Sequence, residues 1–74
     1  MHYRERIRAL REDNDYTQTQ IANIINVGQR TYADYELGKT RIPIDSLIKL
    51  AKFYDVSMDY ISGTSNIKDS FPTK

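Results

Sequence analysis

The run Thr17-Gln18-Thr19-Gln20, followed by Ile21-Ala22, Ile25 and then Asn26-Val27-Gly28, constrains this chain more than any other stretch. The Thr17 hydroxyl is placed to accept from a free amide of a first helical turn. Gln20, three residues on, reaches back to the cap, so the four residues form a Thr-x-x-Gln capping box. Tyr16 before the cap and Ile21 after it make a hydrophobic staple. Ile21, Ala22 and Ile25 fall on one face at helical spacing. Asn26 suits the end of that helix, because Asn tolerates the left-handed conformation better than most non-glycine residues. Val27 plugs the turn, Gly28 serves as the next N-cap, and a second helix runs until Gly38 ends it. Thr17 to Gly38 is therefore two short helices joined by a tight turn.

The second helix, about residues 28–37, has two unlike faces. Tyr32, Tyr35 and Glu36 share one side, while Gln29, Arg30, Ala33, Asp34 and Leu37 share the other. A helix made only for core packing rarely begins Gly-Gln-Arg-Thr. Bidentate hydrogen-bonding side chains in an N-terminal turn are what reading the DNA major groove requires: Gln29 matches adenine, Arg30 matches guanine, and Ala33 suits a thymine methyl. Asp34 either accepts from a cytosine amine or repels phosphate and so narrows the choice of sequences. Tyr32 and Tyr35 belong to the core, because they lie beside Glu36.

Thr17-Gln18, Ile21-Ala22, Asn26-Val27, Gly28, Tyr35-Glu36 and Gly38-Lys39, in this order and without gaps, resemble the helix-turn-helix of the lambda repressor/Cro-like (Xre-type) transcriptional regulators. Arg6-Ile7-Arg8-Ala9-Leu10-Arg11 looks like the first helix of that family, and Leu47 to Ile61 like its last two. The resemblance covers about residues 4–63 and implies an all-α, compact five-helix domain with the helix-turn-helix at helices 2 and 3. It implies base contacts from Gln29, Arg30, Ala33 and Asp34, and phosphate contacts from Gln18, Thr31, Lys39, Thr40 and Arg41. For Gln18 there is a physical reason as well, since the free amides of a first helical turn hold a phosphate. It also implies a structural ion pair between Arg11 and Glu36, which an inward-facing carboxylate needs in any case. The implied partner is a double-stranded DNA operator, two-fold symmetric and bound by a homodimer, because one recognition helix covers only a few base pairs. The implied setting is the cytoplasm of a bacterium, with the gene bacterial or phage-borne.

The rest of the chain fits this frame. Residues 3–13 form the first helix, with Tyr3, Ile7 and Leu10 as its buried stripe and an Arg8/Glu12 pair on its polar face. Asp13-Asn14-Asp15 makes a turn, and Asp15, where relatives have glycine, is a left-handed candidate. The same acidic run fails as a calcium loop, because Gln18 stands where glycine is required and Ile24 where the final glutamate is required. Lys39-Thr40-Arg41 is a basic loop. Ile42-Pro43 marks a break. A fourth helix follows from about Asp45 to Tyr54, with Leu47, Leu50, Ala51 and Tyr54 inward. Ser57 caps a fifth, Met58 to Ser62, which Gly63 ends. The expected buried set is Ile7, Leu10, Ile21, Ala22, Ile25, Val27, Tyr32, Tyr35, Leu47, Leu50, Ala51, Tyr54, Val56 and Ile61. Residues 1–63 are read as the DNA-binding domain, and 64–74, which lose all periodicity, as a flexible or dimer-contacting tail.

Composition narrows the function classes. A chain of 74 residues has room for one small core, and the lack of cysteine excludes disulfide stapling. No apolar run is long enough to cross a membrane, and the residues from His2 onward do not form a signal peptide. An enzyme is not expected: the only histidine is His2, and there is no cysteine nucleophile or phosphate-cradling glycine loop. Neither metal, cofactor nor small-molecule ligand is expected. Eleven Lys and Arg stand against ten Asp and Glu, a net charge of +1, so an electrostatic footprint for DNA has to come from local clustering. The rival reading is a protein-binding module of the same fold, such as an antitoxin or a partner-regulated adaptor.

Overall fold

The computed structural model describes residues 2–63, and the expected 64–74 tail lies outside them. Within the described residues the chain forms α1 (Tyr3–Asp13), α2 (Gln18–Ile24), α3 (Gln29–Leu37), α4 (Ile44–Tyr54) and α5 (Met58–Ser62). Their starts are local chemistry. Thr17 Oγ1 accepts from the Gln20 amide at 3.1 Å and Gln20 Oε1 accepts from the Thr17 amide at 2.8 Å, closing the expected capping box. Ser57 Oγ accepts from the Tyr60 amide. His2 caps α1, its Nδ1 accepting from the Arg4 amide while the Glu5 carboxylate accepts from the His2 amide. α4 starts one residue before the expected Asp45, with Pro43 as its cap, because a fixed proline φ is already helix-compatible at the first turn.

The helix ends follow a common rule. Each described helix is followed by a left-handed residue: Asp15 (φ 60°), Asn26 (61°), Gly38 (81°), Asp55 (55°) and Gly63 (88°). At the first four, two amides fold back onto the last turn. After α2, for example, Val27 N–H donates to Ala22 O at 2.9 Å and Asn26 N–H to Asn23 O at 3.2 Å. This Schellman pairing satisfies carbonyls that would otherwise be orphaned. Asp15 pays a left-handed penalty that glycine does not have, so Asp15→Gly is expected to raise stability by about 0.5–1 kcal/mol. A urea midpoint no higher than that of the parent chain would count against this reading.

One core joins all five helices. Of the fourteen side chains expected inside, twelve are buried, from Ile7 and Leu10 of α1 to Ile61 of α5. Val27 and Tyr54 are half-buried and pack against its rim. Three additions were not expected, Ser46 of α4 among them. Ile42 is buried, brought inward by the break at Pro43. Arg6 is buried too, its guanidinium carbon 3.9 Å from the centre of the Tyr60 ring, so α1 grips α5 through a cation–π contact.

Candidate nucleic-acid interface

α2 and α3 pack against each other and α3 packs against α1, while the N-terminal turn of α3 stays at the surface. Tyr32, Tyr35 and Glu36 point inward and are buried, while Gln29, Arg30, Thr31 and Leu37 are exposed and Ala33 and Asp34 are half-buried. The two-faced reading of α3 therefore holds, with Ala33 and Asp34 on its flank. Gly28 caps the helix without a side chain, so the amides of the first turn have no side-chain acceptor.

A chain of hydrogen bonds runs from the core to this turn. Arg11 and Glu36 form a two-pronged pair, Nε to Oε2 at 2.7 Å and Nη2 to Oε1 at 3.1 Å. Arg11 Nη1 also donates to the Tyr16 carbonyl, which ties the end of α1 to the entry of α2. Gln18 Nε2 donates to Glu36 Oε1 at 3.1 Å, and Gln29 Nε2 donates to Gln18 Oε1 at 3.1 Å. The series Arg11–Glu36–Gln18–Gln29 thus links three helices. It holds Gln29 in a set orientation and leaves its amide oxygen outside the series. Gln18, expected as a phosphate clamp, is half-buried and works here as the bridge.

Burial alone would push the Glu36 carboxyl upward, but the Arg11 hydrogen bonds and charge outweigh it, so Glu36 sits below the usual carboxylate range. The Tyr32 hydroxyl lies close enough to help lower it, although its geometry falls short of a hydrogen bond. Arg11 is raised by the same pairing. The negative charge at Glu36 is therefore cancelled inside the fold. From residue 17 to 41 this leaves Arg30, Lys39 and Arg41 against Asp34 alone. The near-neutral chain total hides this local excess.

The basic loop is fastened to the end of α3. Lys39 N–H donates to Asp34 O at 3.0 Å and Gly38 N–H to Tyr35 O at 3.4 Å, with Thr40 N–H also directed at Asp34 O. Lys39, Thr40 and Arg41 are all exposed. The Asp34 backbone thus anchors the cations, a role that follows from Gly38 rather than from the acidic side chain. At the far side of the loop, Ile42 N–H donates to the Tyr3 hydroxyl oxygen at 3.2 Å, a tie across 39 residues that no local pattern announces.

Among the described residues no helix is long and apolar enough to cross a membrane. A family model described as helix-turn-helix matches residues 7–61. The chain is 39% identical over 67 residues to the HTH-type transcriptional regulator YobD of Bacillus subtilis, covering 90% of this chain and 60% of that protein. It is 36% identical over 74 residues to the cryptic phage CTXphi transcriptional repressor RstR of Vibrio cholerae, covering 97% of this chain and 67% of that protein. The crystal structure of a transcriptional regulator from Listeria innocua superposes with a TM-score of 0.80 at 34% identity, over 84% of this chain and 58% of the other. The chain thus spans 60% of the length of YobD and 58% of that of the Listeria protein.

Proposed function

Because the chain belongs to the helix-turn-helix family of lambda repressor/Cro-like (Xre-type) regulators, we propose that it binds double-stranded DNA sequence-specifically as a transcriptional repressor, with α3 in the major groove. The observation that carries this reading is the Gln18–Gln29 bond, anchored through Glu36 to Arg11. It sets the polar N-terminal end of α3 in a fixed orientation, with exposed Arg30 beside it and exposed Lys39 and Arg41 just past the other end of the same helix. A helix with only a packing role has no need of such an arrangement.

Gln29 and Arg30 read base edges, with Ala33 and Asp34 on the flank of the same helix. Thr31, Lys39, Thr40, Arg41 and the first turn of α2 around Gln18 hold phosphates and set the register. The protein works in the cytoplasm as a homodimer, at least on DNA, over a two-fold operator with half-sites about one turn apart. Residues 1–63 carry the binding function and 64–74 form a tail.

Selection of binding sites from a random duplex library tests this directly. A two-fold symmetric winner with a steep salt slope is the expected result. No enrichment would overturn it in favour of a protein partner. On the selected site, Arg30→Ala is expected to cost about 1–3 kcal/mol and to relax one base position. A repeat selection returning the same preference would remove Arg30 from the reading set.

A further inference from the structure

One cation near this surface has no part in the assignments above. Arg4 stands in the first turn of α1 and is exposed. Its side chain nevertheless folds across the end of α3. A Cβ placed on Gly38 would lie 2.6 Å from Arg4 Nη1, 3.0 Å from its Cδ and 3.3 Å from its Cζ. The guanidinium therefore rests on bare backbone, in space that a side chain at residue 38 would fill. Gly38 is needed there for its left-handed φ of 81°, and its missing side chain leaves the room that Arg4 takes.

Two contacts from one helical turn thus bracket the basic loop. Arg4 covers Gly38, directly before Lys39, and the Tyr3 hydroxyl holds the Ile42 amide, directly after Arg41. The loop is shaped by α1 as well as by α3.

We propose that Arg4 is a third basic contact to the DNA backbone, extending the Lys39 and Arg41 surface onto the first turn of α1. The proposal rests on the DNA-binding reading. Packing against Gly38 restricts the long side chain before any phosphate arrives, so less freedom is lost on binding, while the planar head keeps donors at the surface. The alternative role is confined to the fold: a cation at the negative end of α3 stabilises that helix end and does nothing else.

The two roles separate in a salt series. Binding of the full chain to a mixed-sequence duplex is measured as a function of salt for the unaltered protein, Arg4→Gln, Arg4→Lys and Lys39→Ala, with the melting temperature of each. Arg4→Gln and Lys39→Ala are each expected to lower the salt slope by about 0.9, the value for one phosphate contact, and Arg4→Lys to keep the slope of the unaltered protein. An unchanged slope in Arg4→Gln beside a lowered slope in Lys39→Ala overturns the role of Arg4 and leaves the DNA reading standing. Absence of salt-dependent duplex binding by the unaltered protein overturns both.

Discussion

Arg11→Met is expected to leave much of the protein unfolded at room temperature, with a loss of about 3–5 kcal/mol. The Glu36 side chain is only 3% exposed and Arg11 13%, so removing the guanidinium strands a carboxylate away from water. A domain of this size holds only a few to about ten kcal/mol in total. The pair itself is worth less than the single substitution suggests. Arg11→Met combined with Glu36→Gln is expected to recover a large part of the loss, because no uncompensated charge then remains. Urea titrations of the three proteins measure both terms, and equal losses in the single and double variants would refute the argument. The pair also sets an acid limb. Glu36 is held below its usual 4.5, so its contribution is fully present above that value and disappears as the pH falls through the lower, folded-state value. Glu36→Gln is expected to flatten that limb.

Leu50→Ala is expected to cost about 2–5 kcal/mol. Leu50 is fully buried in the middle of α4, where it meets the side chains of the common core. The truncation loses transfer free energy and leaves a cavity that the five short helices must either tolerate or collapse around. The position within that range reports how far they can move. A thermal or urea midpoint within experimental error of the parent would mean that α4 repacks freely, which a core of interlocked side chains does not allow.

Much of this architecture was legible because it is local. The Thr17/Gln20 box, the stops at Asn26 and Gly38, the left-handed Asp15 and the two faces of α3 depend only on residues within a turn or so of one another. The Arg11–Glu36 pair spans 25 residues, yet an inward-facing carboxylate demanded a cation, and the family resemblance supplied which one. What escaped depends on how the helices approach each other. Ile42 sits beside a proline, where a break in the pattern masks burial. Arg6 is an arginine on a charged helix, and only the arrival of the Tyr60 ring makes its burial favourable. The Gln18–Gln29 bond needs the crossing of α2 over α3, and the Arg4–Gly38 contact needs the return of α3 to the start of α1. Spacing along the chain encodes neither.

The division of α3 into an inner and an outer half has an evolutionary consequence. Tyr32, Tyr35 and Glu36 carry the debt to the fold, whereas Arg30 and Leu37 are open to water and make no side-chain bond to the rest of the described chain. Substitutions on the outer half are therefore close to neutral for stability and, on the proposed DNA-binding function, free to alter the preferred sequence. On that same proposal, duplicated copies of such a gene can drift apart in the sites they recognise while the scaffold stays the same. Gln29 is the exception, because its neighbour Gln18 would have to change with it, so these two positions are expected to vary together.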